Sequence, residues 1–367
     1  MRLPLRAWFA ALRAGFSTTG GLSASSHDLG FSASPQFGDD RRFHNTPNPD
    51  AKPSKGGLAN WAKFLLGSKV GTEPIDRIPM RMLDRAQLDL LDPETTHVVR
   101  LGHSSHLLKL KGTYWLIDPV FSERASPVPW AGPKRFHPTP IALADLPPIE
   151  GVILSHDHYD HLDLATVRAL REQVQRFFVP LGVGGRLRQA GVAPEKIQEF
   201  DWWQDGELHG VKVTATPAQH FSGRTLWDRG TTLWASWVIE SGGERIFYSG
   251  DTGYFPGFKQ IGERFGGFDL AMVENGAYNE NWSSVHMTPE ESVRAFMDLR
   301  GRVMYPVHNS TFSLALHAWQ EPMERVATLA MAHNITLATP EIGEVLTVGS
   351  DPVSYTHLRA HETKANL

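Results

Sequence analysis

Four side chains that commonly bind metal ions lie within six consecutive positions of this 367-residue chain. Residues 155–161 read Ser-His-Asp-His-Tyr-Asp-His, and the four are His156, His158, Asp160 and His161. The apolar run 151–154 is typical of a buried strand, so we expect the polar cluster on the loop that follows it. This spacing lets the first pair face one point and the second pair another, which suits two adjacent metal ions. Imidazole and carboxylate ligands favour zinc over magnesium.

Three later positions complete a set of seven candidate ligands. His220, Asp251 and His308 each follow an apolar segment with the pattern of a strand. Loops at strand ends often carry functional residues on a rigid scaffold. Each position alone is a weak signal, because a single histidine after a strand is more often a hydrogen-bonded loop residue than a ligand. Their shared placement and their order along the chain strengthen the interpretation.

The order of these residues resembles the metallo-β-lactamase superfamily, and other segments narrow the resemblance. Between about residues 43 and 348 the chain is similar to the N-acylphosphatidylethanolamine-hydrolysing phospholipase D family. The metal motif is shared by many hydrolases, whereas residues 124–136 together with Asp201-Trp202-Trp203 are much more selective. The other similar segments are 101–103, 118–122, 250–254 and 276–278.

The resemblance implies a dizinc phosphodiesterase and a role for each candidate. One zinc ion would be held by His156, His158 and His220, the other by Asp160, His161 and His308, with Asp251 bridging both. Hydroxide formed from metal-bound water would attack phosphorus, since the ions lower the pKa of water. The implied reaction converts N-acylphosphatidylethanolamine to phosphatidate and an N-acylethanolamine. The alternatives are hydrolysis of another phosphodiester or a lactone, and a non-catalytic envelope-associated binding protein.

Other polar residues are candidates for contact with substrate or ligands. Tyr159 is expected either to touch a substrate phosphate or to pack within its loop. His286 matches a histidine that the family places near the site, where it would position phosphate or protonate the leaving oxygen. The alternative for His286 is a histidine bonded to backbone at a helix entry. Asp157 is predicted either to support ligating histidines through a hydrogen bond or to be a turn residue. His103 is predicted to contact the metal ligands without binding a metal itself.

The chain departs from the animal members of that family beside the predicted site. Glu274-Asn275 replaces apolar residues, Val285 replaces a polar residue, and Asn309-Ser310 replaces Trp-Gly. These departures leave the metal chemistry intact, and they put the lipid specificity of the animal members in question.

Composition limits the classes of partner. The net charge is −4 with no long basic block, so no nucleic acid is expected, and the absence of cysteine excludes thiolate ligands. The sequence contains no run of 18 apolar residues, so no membrane-spanning helix is expected. Arg13 interrupts the apolar stretch 8–12, which makes residues 1–16 a poor signal peptide. The expected partner is a phospholipid or another phosphodiester. A homodimer, peripheral membrane contact and the compartment are left open.

We predict three regions along the chain. Residues 1–57 are rich in Ser, Gly, Asn and Pro and are expected to be extended or partly disordered. Residues 58–350 form the hydrolase domain, and its segment 58–67 is a helix that either packs on the domain or touches lipid head groups. Residues 351–367 resemble a translated sequencing adapter, so His357 and His361 are not counted as ligands.

The domain is expected to be of the α/β class. Strands are predicted at 96–101, 105–110, 113–117, 177–179 and 268–274, and helices at 164–174, 184–190, 288–299 and 319–333. Strands come first in each half and helices follow, which suits two sheets packed face to face with helices outside. The resemblance implies the αβ/βα sandwich of the metallo-β-lactamase fold, with two mixed sheets.

Overall fold

A computed structural model describes residues 31–48 and 71–349 of the protein. The predicted helix at 58–67, the segment 1–16 and the tail 351–367 lie outside the described residues. Within the described ranges, no helix has the length and apolar character needed to cross a membrane.

Two seven-stranded mixed sheets form the centre of the domain. The first has the order β14-β1-β2-β3-β4-β5-β6 and the second the order β13-β12-β11-β10-β9-β8-β7. The strands of the first sheet are β1 (His97–Gly102), β2 (Ser105–Leu110), β3 (Thr113–Ile117), β4 (Ile149–Ile153), β5 (Val174–Pro180), β6 (Ile197–Phe200) and β14 (Val345–Thr347). Those of the second are β7 (Asp205–Leu208), β8 (Val211–Thr216), β9 (Ser236–Ser241), β10 (Glu244–Tyr248), β11 (Phe268–Glu274), β12 (Gly301–Val307) and β13 (Thr336–Leu337).

The two halves of the domain are built alike. In each half, antiparallel strands come first and parallel strands follow, with the change at the β3–β4 pair in one sheet and the β10–β11 pair in the other. Parallel neighbours need a crossover connection, and helices supply it. The helices are α1 (Arg85–Asp89), α2 (Leu164–Leu170), α3 (Val183–Gln189), α4 (Gly257–Phe265), α5 (Pro289–Asp298) and α6 (Glu321–Ala332).

Alternation along the strands builds three apolar layers. Val98 and Trp115 point between the sheets and pack with Trp237 of the other sheet. Their neighbours Val99 and Leu116 point outward and pack beneath α2 and α3, because successive side chains of a strand face opposite sides. The outer face of the second sheet packs in the same way on α4, α5 and α6. The fold is therefore the predicted sandwich of two face-to-face sheets with helices outside.

Several predicted boundaries differ from the structure. The helix predicted at 164–174 ends at Leu170, because the backbone turns through Gln173 and the branched and aromatic residues after it begin β5 at Val174. The strand predicted at 177–179 is correspondingly longer. Helix α4 has no counterpart in the prediction, since its glycines weaken helical periodicity. Gly262 is needed there, because a Cβ atom would lie 2.2 Å from the Asp298 carbonyl oxygen.

Residues 31–48 form packed turns rather than an extended or partly disordered segment. The rings of Phe31, Phe37 and Phe43 pack together with centroids 5.0–5.8 Å apart, and Phe43 is buried in the core between the sheets. Asn45 then bonds the backbone of His220 on both sides: its Nδ2 donates to the carbonyl, and its Oδ1 accepts from the amide. The segment thus holds a candidate ligand in place, which its polar composition did not indicate.

Gly151→Ala tests the contact between β3 and β4. A Cβ atom at Gly151 would lie 2.2 Å from the Trp115 ring, which is fully buried. Overpacking of this kind should lower the free energy of unfolding by about 1–3 kcal/mol, measured by urea denaturation. Gly185→Ala in α3 is the control, since its nearest neighbour would be 3.9 Å away, and it should raise stability by about 0.5–1 kcal/mol. Equal effects of the two variants would contradict this account of the core.

Candidate metal centre

The structure brings all seven candidate ligands together at one edge of the sandwich. His156, His158, His220 and Asp251 form one group of mutually close ligand atoms, and Asp160, His161 and His308 form another with His103. Within each group the ligand atoms lie within 4.8 Å of one another. Asp251 connects the groups: its Oδ2 is 3.1 Å from His308 Nε2, and its Oδ1 is 3.0 Å from His161 Nε2.

Strand ends deliver these side chains from both sheets. The loop 155–161 follows β4 of the first sheet, while His220, Asp251 and His308 follow β8, β10 and β12 of the second. The loop that contains Asp251 and the loop 155–161 approach each other closely at Gly250. Gly250 has φ +57°, and an added Cβ there would lie 2.7 Å from Ser155 Cβ. A side chain at Gly250 would therefore push the Asp251 loop away from the loop that carries the histidines.

The donor set fits two metal ions. In the first group, His158 Nδ1 lies 2.8 Å from His156 Nε2 and 3.3 Å from His220 Nε2. Ligand atoms around one tetrahedral zinc ion lie about 3.3 Å apart when metal–ligand bonds are about 2.0–2.1 Å. His161 Nε2 and Asp251 Oδ1 face one another at 3.0 Å, yet neither makes a hydrogen bond among the described residues. Such an arrangement is typical of lone pairs that converge on a common cation.

The charges of the site also call for a cation. Burial alone would raise the pKa of Asp251, but His161 and His308 hold that pKa well below its usual range. Burial alone would lower the pKa of His308, and the carboxylates of Asp251 and Asp160 raise it to about 10. A buried carboxylate at Asp251 and a partly buried one at Asp160 therefore require positive charge beside them, which a bound divalent ion supplies more strongly than an imidazolium.

Comparison with known proteins agrees with this geometry. Residues 113–309 match the β-lactamase superfamily domain. The chain belongs to the metallo-β-lactamase superfamily of metal-dependent hydrolases. An uncharacterized protein of Mycobacterium tuberculosis is 48% identical over 247 residues, which are 66% of this chain and 66% of that protein. The chain thus spans about two thirds of the length of its mycobacterial relatives.

A second relative carries an activity in its name. The N-acyl-phosphatidylethanolamine-hydrolyzing phospholipase D 1 of Caenorhabditis elegans is 35% identical over 263 residues, which are 67% of this chain and 74% of that protein. Among solved structures, a possible metal-dependent hydrolase of Veillonella parvula superposes with a TM-score of 0.55 at 19% identity, over 69% of this chain and 99% of that one. The structural match supports the superfamily fold.

Residues that are not candidate ligands form hydrogen bonds that orient the candidate ligand histidines. His156 Nδ1 contacts Ser155 Oγ at 2.9 Å, and His220 Nδ1 contacts the Val285 carbonyl at 3.0 Å. In both rings Nε2 is thereby left to face the metal group, as is usual for ligating histidines. Because the contact to Val285 uses backbone, the replacement of a polar side chain at that position does not disturb the ligand.

Asp118 is the functional residue that the sequence reasoning missed. It is fully buried after β3, and its Oδ2 lies 2.7 Å from His161 Nδ1. Its Oδ1 accepts from the Ser155 amide at 2.8 Å, and its Oδ2 also accepts from the hydroxyl of Tyr248. Asp118 thus orients a candidate ligand and joins both sheets. Asp118 follows an apolar strand just as Asp251 does, but this placement alone does not predict which histidine it contacts.

His103 and His286, two of the additional polar candidates, both lie beside the ligand groups. His103 Nε2 lies 3.0 Å from Asp160 Oδ2, a position suited to the predicted support role. His286 lies beside both groups, with its ring centroid 5.2 Å from that of His220, and its Nδ1 contacts Glu274 Oε1. The backbone-bonded alternative for His286 is therefore wrong, because its partner is a buried carboxylate.

Tyr159 and Asp157 hold loops together. The Tyr159 hydroxyl donates to the Arg224 carbonyl at 2.9 Å, and the Arg224 guanidinium lies 3.9 Å from the ring centroid. This geometry favours the packing interpretation, and contact with a phosphate stays a prediction. Asp157 accepts from the Gly223 amide and pairs with Arg186, so it anchors the 223 loop rather than a ligating histidine.

Five of the eleven non-glycine residues with left-handed backbone among the described residues lie around the site. Residues other than glycine adopt left-handed φ values at His103 (+54°), Asp118 (+38°), Ala277 (+56°), His308 (+66°) and Ser310 (+60°). Each such residue costs of order 1–3 kcal/mol and persists only where surrounding structure fixes it. The surrounding structure therefore holds these loops in conformations that position the site residues, although the same conformations are locally unfavourable.

Asp118→Asn tests the support of His161. The amide keeps the shape of the side chain but removes the negative charge that orients the imidazole, so we expect metal affinity to fall by about 10–100-fold. Chelator competition followed by elemental analysis measures this affinity, and thermal unfolding checks the fold. Asp145→Asn, at an exposed position, is the control and should retain wild-type affinity. Unchanged affinity in Asp118→Asn would show that His161 needs no such support.

Proposed function

We propose that the protein is a dizinc phosphodiesterase that hydrolyses N-acylphosphatidylethanolamine to phosphatidate and an N-acylethanolamine. The observation that carries the proposal is the pair of ligand groups joined by Asp251. Two adjacent metals form a clamp suited to in-line displacement at phosphorus. The 35% identity to the nematode phospholipase D supports the choice of substrate.

The residues present would hold two zinc ions. His156, His158 and His220 would bind one ion, Asp160, His161 and His308 the other, with Asp251 shared. Zinc bound in this way supplies a Lewis acid and lowers the pKa of water, which gives a nucleophile at neutral pH. Five of the seven ligands are buried and the other two, His158 and Asp160, are partly buried, so the surrounding structure holds the donors in place before a phosphodiester enters.

His286 and Glu274 are placed to handle a proton. Glu274 is fully buried: its Oε1 contacts His286 Nδ1, and its Oε2 accepts from the Thr252 amide at 2.7 Å. Burial raises the pKa of Glu274 well above its usual range, so the Glu274 carboxyl group donates to His286 Nδ1 and fixes the orientation of the imidazole. The ring proton of His286 then lies on Nε2, the atom that would deliver it to the leaving oxygen.

Two exposed loop tips support contact with a membrane surface. Leu226 and Trp227 are 63% and 70% exposed on one loop, and Trp130 is 51% exposed on another. Arg224 of the first loop contacts Tyr159, and Tyr159 packs against the apolar cluster of Val120, Ala125 and Phe312, to which Ala125 of the second loop belongs, so both loops lie near the metal centre. Aromatic side chains with one apolar and one polar end favour the membrane interface. Arg42, which donates to the Trp227 carbonyl, adds positive charge beside one tip.

A hydrolase of a different phosphodiester or of a lactone would use the same metal groups. A non-catalytic binding protein would have no need of seven metal-competent side chains in this arrangement. A panel of phospholipids in vesicles with mass analysis of the products, alongside a soluble chromogenic phosphodiester and a lactone, separates these alternatives. The proposed function requires N-acylethanolamine and phosphatidate as products.

Asp251→Ala tests the dizinc mechanism. Protein purified without chelator should contain close to two zinc ions per chain by elemental analysis. Because Asp251 contacts both groups, its loss should lower zinc content and reduce phosphodiesterase activity by more than about 100-fold. His156→Ala should lower both quantities as well, whereas Asp145→Ala should change neither. Full activity in metal-free Asp251→Ala would refute the mechanism.

A double substitution, Leu226→Ser with Trp227→Ser, tests the loop tip. Loss of two exposed apolar side chains should weaken sedimentation with anionic phosphatidylglycerol vesicles by about tenfold or more. Activity should fall on vesicles and stay unchanged on the soluble chromogenic diester. The control, Leu90→Ser with Met331→Ser, removes side chains that are 85% and 65% exposed elsewhere and should have no effect. Equal vesicle binding of both double variants would exclude this loop as the contact.

A further inference from the structure

The turn that carries His308 receives a hydrogen bond from the other sheet. Arg100 lies in β1 of the first sheet, and its Nη2 donates to Asn309 Oδ1 at 2.7 Å. His308 and Asn309 directly follow β12 of the second sheet. Both partners of this hydrogen bond are buried. A residue that is distant in sequence therefore contacts the immediate neighbour of a candidate ligand.

The Asn309 side chain holds the turn on both sides of His308. Its Nδ2 donates to the Val307 carbonyl at 3.1 Å, and its Oδ1 also accepts from the Ser310 hydroxyl at 3.0 Å. His308 and Ser310 have left-handed backbone, with φ values of +66° and +60°. Such backbone persists only where the surrounding structure fixes it. The Asn309 amide thus ties this strained turn together, and Arg100 fixes the position of that amide.

Arg100 is a buried cation that is held by neutral groups. Its guanidinium donates to Asn309 Oδ1 and, at 2.9 Å, to the Pro340 carbonyl. Burial lowers the pKa of this guanidinium, and no carboxylate among the described residues opposes that shift. Arginine nevertheless stays charged in proteins. A buried charge is unfavourable, and an apolar side chain of similar size would avoid the desolvation. The two hydrogen bonds are therefore what Arg100 contributes at this position.

The direction of the His308 ring depends strongly on its backbone. Three other candidate ligands have Nδ1 in contact with a protein group outside the metal groups: His156, His161 and His220. No protein atom of the described residues bonds His308 Nδ1. His308 Nε2 nevertheless lies 3.2 Å from Asp160 Oδ2 and 3.1 Å from Asp251 Oδ2. The conformation of the turn is what aims this nitrogen at the two carboxylates.

Neighbouring backbone encloses the turn from other directions. The His308 amide donates to the His103 carbonyl at 3.3 Å. A Cβ atom at Gly276 would lie only 2.1 Å from the His308 carbonyl oxygen, so another loop packs directly against this peptide. His308 and Asn309 share a planar peptide bond. A displaced Asn309 side chain would therefore shift the backbone of the ligand itself.

We propose that Arg100 is a positioning residue for the second metal group and acts on His308 through Asn309. Removal of a contact that orients a metal ligand lowers metal affinity by about 10–100-fold. The histidines of the first group follow β4 and β8 and have no contact with this pair. One of the two ions should therefore depend on Arg100, and the other should not. The inference concerns metal binding and does not depend on the proposed substrate.

Stepwise zinc titration against a competing chelator tests the proposal, because it gives a dissociation constant for each ion. Arg100→Met should weaken one ion by about tenfold or more and leave the other at its wild-type constant. Asn309→Ala should weaken one ion in the same way, and it supplies the test if Arg100→Met does not fold. Arg245→Met is the control, since Arg245 also donates to two backbone carbonyls but lies at the end of β10 opposite Asp251. It should lower the melting temperature and change neither zinc constant.

The double variant Arg100→Met with Asn309→Ala separates positioning from general destabilisation. If the two residues act through one contact, its zinc constant should match that of the single variants within about threefold. Losses that multiply, equal weakening of both ions, or unchanged constants in the single variants would overturn the proposal. If wild-type protein binds a single ion, the dizinc mechanism fails. The inference then requires that Arg100→Met weakens that ion and Arg245→Met does not, and equal effects of these two variants would refute it.

Discussion

The buried carboxylate of Asp251 is the group on which the rest of the site depends. Four imidazoles lie within 3.8 Å of its oxygens: those of His156, His161, His220 and His308. A carboxylate in such a place is unstable unless positive charge and donors surround it. Since those donors come from strand ends in both sheets, the sheets must be aligned closely for the site to exist. The hydrogen bond from Trp237 Nε1 to the Leu154 carbonyl and the contacts of Asp118 provide that alignment.

The strain of the site follows from the same requirement. His103, Asp118 and His308 each turn sharply at the end of a strand so that their side chains converge on one region. Left-handed backbone at such residues is unfavourable locally. The rigid sandwich compensates, because its three apolar layers fix both ends of every loop. A looser scaffold would let these loops relax and separate the two ligand groups.

Most of the scaffold, and the convergence of the seven candidate ligands, could be predicted from the sequence. Apolar strands alternate regularly, and His220 and His308 stand directly after them, so placement at a common edge could be inferred. The role of Asp118 could not, since it depends on which strands become neighbours. Glu274 was noted only as a departure from relatives, because its contact with His286 arises from loops that are 12 residues apart in sequence. Residues 31–48 were misjudged because three phenylalanines pack only against a core formed elsewhere.

The metal groups and the surface around them place different demands on the chain. The metal groups need fixed ligand identities, and the chain retains the pattern that it shares with its family. The departures from the animal members lie instead at Glu274-Asn275 and Asn309-Ser310, beside His286 and next to His308. Substitution at those positions alters the surface beside the site without changing a metal ligand. The choice of substrate can therefore change in this chain while the metal ligands stay the same.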